Sequence, residues 1–239
     1  MNSNCALACR SCLHLDYIYR CPIDSSKDVL KAKELNSLFE RIVSIPGFLE
    51  HGNKVISKPM IFKSNERKIN EQNKEDPWLL KFDNFLSSKE CDQLVKHGGR
   101  IGFNKMDNTW CDENCTNDSI VQKLVSKISK VVGIPSQNFE TIHFSKRGEK
   151  MRTTYPPRHD YIDYHDEKQY GPRILSFFVF LNDVQDGGGK SFKYINGQAV
   201  RPRRGRALLW SNVLIGDFNF LKANRMVHEG LEVRKGIGK

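Results

Sequence analysis

The sequence predicts a mainly β domain with flanking helices, an α+β class, on three observations. An unbroken apolar and aromatic run at residues 174–181 is bounded by Pro172 and by Asn182-Asp183, as a strand buried inside a sandwich should be. Residues 191–195 and 198–200 flank Asn196-Gly197, a dipeptide favoured in two-residue hairpins. Upstream, apolar residues recur at helical spacing instead, so helices precede the strands. A C-terminal half of short strands separated by turn signals fits a β-sandwich, barrel or jelly roll.

Taken in order, residues 1–22 form a small cysteine-rich piece and residues 23–75 a helix followed by a linker. The helix spans residues 23–46, with Leu30, Leu35, Leu38, Phe39 and Ile42 on one face, and stops at Pro46-Gly47. Residues 57–76 are mostly polar and read as an exposed loop. The main domain then covers residues 76–239, entered by a strand at residues 77–82. Ser87-Ser88-Lys89-Glu90 is a capping box that opens a helix running to about Gly98, with Cys91, Leu94 and Val95 on its buried side. A further helix at residues 119–132 carries the stripe Ile120, Leu124, Ile128 and Val131 and stops at Gly133. Both stripes read as core packing. Ala207-Leu208-Leu209-Trp210 is another strand, after a turn at Gly205.

With 239 residues and no apolar run near the length of roughly eighteen that a membrane helix needs, the chain is long enough for one sizeable core and has no span in it. Its net charge of +10 admits anionic partners in principle. The basic residues are dispersed, however, and nucleic acid is not the expected partner. The one dense run, Arg201-Pro202-Arg203-Arg204-Gly205-Arg206, reads as a solvated turn. Clustered cysteines suit disulfides in an oxidising compartment, which makes Cys5, Cys9, Cys12, Cys21, Cys111 and Cys115 the disulfide candidates and leaves Cys91 unpaired on a helix face. A zinc reading of Cys9-x-x-Cys12 lacks a second pair at finger spacing. The residues after Met1 have neither a basic start nor an apolar stretch, which conflicts with a secretory destination unless the natural start lies upstream.

Asp160 and His228 carry the chemistry. Two histidines and a carboxylate on one face of a metal leave positions open for O2 and a co-substrate, as non-haem Fe(II) oxygenases require. Positions i and i+2 of a strand share a face, so Arg158 stands beside Asp160 where the spacing asks for the second histidine, and His159 points away. Two accounts of Arg158 are open. Pro156 and Pro157 disrupt regular pairing, so a bulge could turn His159 into the ligand position. Alternatively the ligand is lost and the fold persists as a non-catalytic binder. His165-Asp166-Glu167 offers a second, weaker His-x-carboxylate pair.

The string Asp160-Tyr161-Ile162-Asp163-Tyr164-His165, with Gly171-Pro172-Arg173-Ile174-Leu175-Ser176-Phe177, Leu181-Asn182-Asp183-Val184, Gly187-Gly188-Gly189, Arg204-Gly205-Arg206-Ala207-Leu208-Leu209-Trp210 and His228-Glu229-Gly230-Leu231, resembles the prolyl 4-hydroxylase family of Fe(II)/2-oxoglutarate dioxygenases in order and spacing. The likeness covers residues 76–239. Residues 1–12 similarly resemble the closing half of an ShK-toxin-like disulfide module.

The resemblance implies a double-stranded β-helix (jelly roll), here short of its last strand. It implies an enzyme that hydroxylates peptidyl proline with O2, Fe(II) and 2-oxoglutarate, releasing succinate and CO2, with L-ascorbate keeping the iron reduced. The iron ligands become His159, Asp160 and His228. Lys239 and Ser176 become the partners of the 2-oxoglutarate carboxylate, Lys239 through a charge-assisted hydrogen bond. The substrate is a proline-containing peptide or protein, and the expected location is the endoplasmic reticulum lumen or secretory pathway. The alternative is an inactive peptide-binding homologue with Arg158 in place of a histidine. A nucleic-acid demethylase of the same superfamily is a weaker reading that the basic charge alone recommends.

Overall fold

The computed structural model describes residues 29–31, 34–50, 52–59, 76–103, 108–148, 155–161, 173–195, 197–215, 221–235 and 237–238. The N-terminal cysteine piece, with Cys5, Cys9, Cys12 and Cys21, lies outside the described residues, as do His165 and Lys239.

Two four-stranded antiparallel sheets form the frame. The first has β2 (Leu79–Phe82) between β1 (Lys54–Ser57) and β11 (Ala207–Ser211), with β7 (Leu175–Val179) outside β11. In the second, β9 (Lys190–Phe192) and β12 (His228–Gly230) lie between β10 (Gln198–Val200) and β6 (Tyr155–Arg158). Short pairs complete the β structure: β3 (Asn108–Trp110) with β4 (His143–Ser145), β5 (Arg147–Gly148) with β14 (Ile237–Gly238), and β8 (Asp186–Gly187) with β13 (Val233–Lys235).

Period two decides what each face of the first sheet meets. Leu79, Leu208 and Trp210 point one way, and pack with Phe192 and Val200 of the second sheet and with Ile195, Ala223 and Met226 from loops. Leu80, Phe82, Ala207 and Leu209 point the other way, into a larger cluster with α1 (Glu34–Val43), α2 (Ser88–Ile101) and α4 (Ser119–Val132). The sequence therefore forms two layers of core, one between the sheets and one beneath the helices. Every residue of β11 is buried, because this strand serves both. By contrast β7, expected to be buried as a continuous apolar run, is only partly buried along its length.

The helices follow the sequence signals, except that the first, expected over residues 23–46, is Glu34–Val43, with residues 29–31 and 44–46 outside it. Ser87 caps α2 through the Glu90 N–H while the Glu90 carboxylate accepts from the Ser87 N–H, the reciprocal pair expected. The helix runs on to Ile101, past Gly98, which packs closely against the Phe144 ring, and gives way at Gly102 with φ of 84°. Asp118 caps α4 and Gly133, with φ of 71°, ends it. Between them α3 (Glu113–Asn117) is tied by the Cys111–Cys115 disulfide, while Cys91 is a buried free thiol. Burial pushes the Cys91 thiol pKa up, which keeps it inert. The N-terminal helix is integral to the fold: Trp78 stacks on Phe39 at 5.3 Å and donates its indole N–H to Asn36 Oδ1. Strand β1 was not anticipated in the sequence.

Two further expectations are corrected. The hairpin at Asn196-Gly197 is not a two-residue turn, since Phe192 pairs with Gln198 across a longer connection. Ile195 is pulled into the inter-sheet core, 2% exposed, and two successive tight turns (Ile195 N–H to Phe192 O, Gln198 N–H to Ile195 O) replace the single one. The arginine run is a solvated turn only in part: Arg201 and Arg203 are exposed, whereas Arg206 and Arg204 are engaged. Arg206 donates to Asp83 Oδ1 at 2.6 Å, with Lys81 2.7 Å from the other oxygen. Arg204 pairs with Asp92 and donates to the Ser88 carbonyl. Burial pushes the Asp83 pKa up, but Arg206 and Lys81 outweigh it and hold the carboxyl below the usual range.

Candidate metal site

Asp160 lies just beyond β6, and His228 opens β12, the strand paired with β6; His228 is in register with Arg158. The Pro156-Pro157 segment makes an irregularity in that pairing, which an edge strand tolerates because the missing N–H groups face no partner. The chain thereby brings Asp160 and His228 together between the sheets, with His228 Nε2 3.4 Å from Asp160 Oδ1.

The protonation logic follows from the partners. His228 Nδ1 lies 3.0 Å from the Met226 carbonyl, which can only accept, so Nδ1 carries a proton. In the neutral ring Nε2 is then a bare lone pair, buried and without a hydrogen-bond partner, facing a carboxylate oxygen. Two acceptors facing each other need a cation between them, either a proton or a metal ion. The rings of Trp210 and Phe192, 5.0 and 5.7 Å from the imidazole centroid, keep that face apolar.

Asp160 is oriented from behind. Ser176 Oγ donates to Asp160 Oδ2 at 2.7 Å, Asn212 Nδ2 donates to Ser176 Oγ at 2.9 Å, and Trp210 Nε1 donates to Asn212 Oδ1 at 2.9 Å. This relay crosses from the first sheet to the second and fixes which oxygen faces His228. Burial alone would raise the Asp160 pKa, but His228, Lys190 and Ser176 outweigh it and hold the carboxyl far below the ordinary range. The relay also uses the one hydroxyl proton of Ser176, so this residue acts on Asp160 and has no second proton for another carboxylate.

The structure does not bring His159 to this pair. Its Nε2 donates to the Ala223 carbonyl at 2.8 Å and its Nδ1 accepts the Tyr161 N–H at 2.9 Å, so both ring nitrogens are engaged elsewhere. Burial lowers its pKa, keeping the ring neutral as those partners require. Its position staples the end of β6 to the loop before β12. Among the described residues no group of three His, Cys, Asp or Glu side chains is arranged to hold a metal ion. Asp160 and His228 thus fit a divalent ion as a two-residue platform, with open positions left to solvent or ligand.

One residue of the site went unnoticed in the sequence. Lys190, 7% exposed, opens β9 with its ammonium 4.6 Å from the Phe178 ring centroid and 5.2 Å from that of Trp210. Burial pushes its pKa down to about 7; Asp160 pulls upward, while Arg158 and Arg147 push it down further. The available signal was the strand alternation: Lys190 and Phe192 share a face, so a lysine stands where an apolar residue is expected.

No protein-family profile matches the chain. It is similar to prolyl 4-hydroxylase 5 of Arabidopsis thaliana, 27% identical over 141 residues, which cover 51% of this chain and 47% of the plant protein. It is also similar to prolyl 4-hydroxylase subunit alpha-2 of Gallus gallus, 26% identical over 108 residues, covering 44% of this chain and 19% of the other. The chain spans about half the length of the plant relative and a smaller share of the chicken one. Among solved structures, the viral collagen prolyl hydroxylase from Paramecium bursaria Chlorella virus 1, in its 2OG complex, shares the fold with a TM-score of 0.56. That match is 19% identical and covers 67% of this chain and 90% of the viral one.

Proposed function

Because the chain is related to the prolyl 4-hydroxylase family, we propose that it is a prolyl 4-hydroxylase-like dioxygenase acting on a proline-containing peptide or protein. The two facing sheets are the jelly roll of that reading. One observation carries the proposal: the buried, partnerless His228 Nε2 faces the ionised Asp160 Oδ1 at 3.4 Å, a pair of donors shaped for a divalent cation. Fe(II) held there by Asp160 and His228 would supply the activation of O2 that 2-oxoglutarate makes possible. The chain's own residues do the rest. Ser176, Asn212 and Trp210 aim Asp160, the Trp210 and Phe192 rings exclude water, and Lys239, outside the described residues, would take the distal carboxylate of 2-oxoglutarate. L-Ascorbate as reductant and a secretory-pathway location belong to the same reading, consistent with the Cys111–Cys115 disulfide. So does the division into a cysteine piece at residues 1–22, a helix and linker at 23–75 and the catalytic domain from 76.

The test has two arms. Co(II) titration of the full chain should give stoichiometric binding that Asp160→Asn and His228→Ala abolish. A proline-rich peptide with Fe(II), 2-oxoglutarate and ascorbate should yield succinate; binding without turnover would defeat the catalytic claim.

A second reading has its own support. Arg158 occupies the histidine position and both nitrogens of His159 are engaged, which favours an inactive homologue that binds peptides without metal. Its signature is peptide affinity unchanged by chelator.

A further inference from the structure

A cleft of about 510 Å³ opens beside the Asp160–His228 pair, with Arg158, His159, Tyr194, Lys222, Arg225 and Val227 on its walls. His159 and Val227 are the chain neighbours of Asp160 and His228, so the cleft lies one residue away from the pair along each segment. Three of its walls are cationic, and among the described residues no Asp or Glu lines it. Arg225 is held in place by the Tyr194 carbonyl at 2.6 Å and by Asp76 at 2.8 Å. That anchoring fixes the backbone of Tyr194, a residue 46% exposed whose ring has the Lys193 ammonium 5.5 Å from its centroid. Asp76 offsets the charge of Arg225, so among the described residues the positive potential comes from Arg158 and Lys222.

We propose that this cleft selects an extended peptide by an acidic side chain flanking its proline, the carboxylate lying against Lys222 and Arg158 and the proline ring against Tyr194. The proposal rests on the peptide-directed reading above and names the class of peptide. A peptide is the fitting occupant because the cleft's charge is a short patch beside an aromatic ring, while the basic run at residues 201–206, in which Arg206 and Arg204 are paired with Asp83 and Asp92, lies outside the cleft lining. Such a patch is matched to one or two carboxylates. Proline-aromatic contact supplies the apolar part. Each partly exposed ion pair contributes a few-fold in affinity, so two together give about tenfold.

Fluorescence anisotropy on the full chain, without metal or 2-oxoglutarate, tests this with short labelled proline-rich peptides carrying Glu, Gln or Lys at one position. The Glu peptide should bind about tenfold more tightly than the Gln peptide, with the Lys peptide weakest. The gap should shrink as salt rises from about 0.05 to about 0.5 M. Lys222→Glu should reverse the order, and Lys222→Gln, which keeps the side-chain length, should narrow it. Equal affinities in the wild-type chain, or an undiminished Glu preference in both variants, would overturn the proposal. A single-stranded oligonucleotide that displaces the Glu peptide at lower concentration than the peptide itself would overturn it as well. Acidic preference without succinate formation refutes the catalytic reading and leaves the cleft; succinate formation without acidic preference does the reverse.

Discussion

Replacing Lys190 by methionine isolates the energetic cost of the buried ammonium. The side chain is enclosed between Phe178 and Trp210, and methionine preserves length and packs well on aromatic rings. In the folded chain the amine titrates near 7, against a reference of 10.5 for lysine. Its folded value is depressed, so between those two values the unfolded chain binds the extra proton. Stability contributed through this group is therefore lowest below pH 7 and is recovered as pH rises towards 10.5. Each unit of difference corresponds to about 1.4 kcal/mol, so the penalty at pH 6.5 is on the order of 5 kcal/mol at most. Lys190→Met should raise stability by roughly that amount at pH 6.5 and by nothing near pH 10.5. For a chain of this size the gain is a rise in Tm on the order of 10 °C. Urea unfolding of both proteins at pH 6.5, 8 and 10 measures the gap directly, and all groups common to the two cancel in the difference. A variant less stable than wild type at pH 6.5, or a gap that does not close with pH, would refute the reasoning. Either result would mean that the ammonium has a strong favourable partner in the folded chain.

Three other outcomes are expected. Ser176→Ala removes the hydroxyl that aims Asp160 and should weaken Co(II) binding about 10- to 100-fold, and because buried Asn212 loses its acceptor it should also cost about 1–3 kcal/mol of stability, measured by calorimetry and circular dichroism. Gly205→Ala places a Cβ against the Leu86 carbonyl at a residue with φ of 77° and should cost at least about 3 kcal/mol in urea unfolding. Asp83→Asn strands Arg206 and Lys81 and should cost about 3 kcal/mol at neutral pH. Asp83 has a depressed pKa, so its contribution is present above the unfolded value and is lost as pH falls through the folded one. The gap to wild type should close in acid.

Local signals were legible wherever one residue and its near neighbours decide the outcome. The Ser87/Glu90 capping box, the stop at Gly133, the stripe along α4 and the solitary Cys91 all follow from short-range geometry, and the structure repeats them. Signals that depend on what lies opposite were read less well. Asn196-Gly197 has the composition of a tight hairpin, yet the burial of Ile195 between the sheets lengthens the loop. The arginines at 201–206 look solvated in the sequence, yet Asp83 and Asp92 are brought to two of them from more than a hundred residues away.

The candidate site divides along the same line. Motif order and strand periodicity identified Asp160 and His228, because a carboxylate after one strand and a histidine on another are visible in the chain. Whether His159 joins them depends on which carbonyl its ring reaches, and Ala223 answers that from 64 residues downstream. Lys190 entered the site only through the closure of one sheet over the other. The sequence by itself determined the main helices, the strands β2, β7 and β11 and the likeness to the prolyl 4-hydroxylases, since these rest on periodicity, local backbone preference and motif order. Only the tertiary structure decided which polar groups face one another in the interior, because hydrogen-bond and charge pairing act over a few ångströms in space and leave no fixed spacing along the chain.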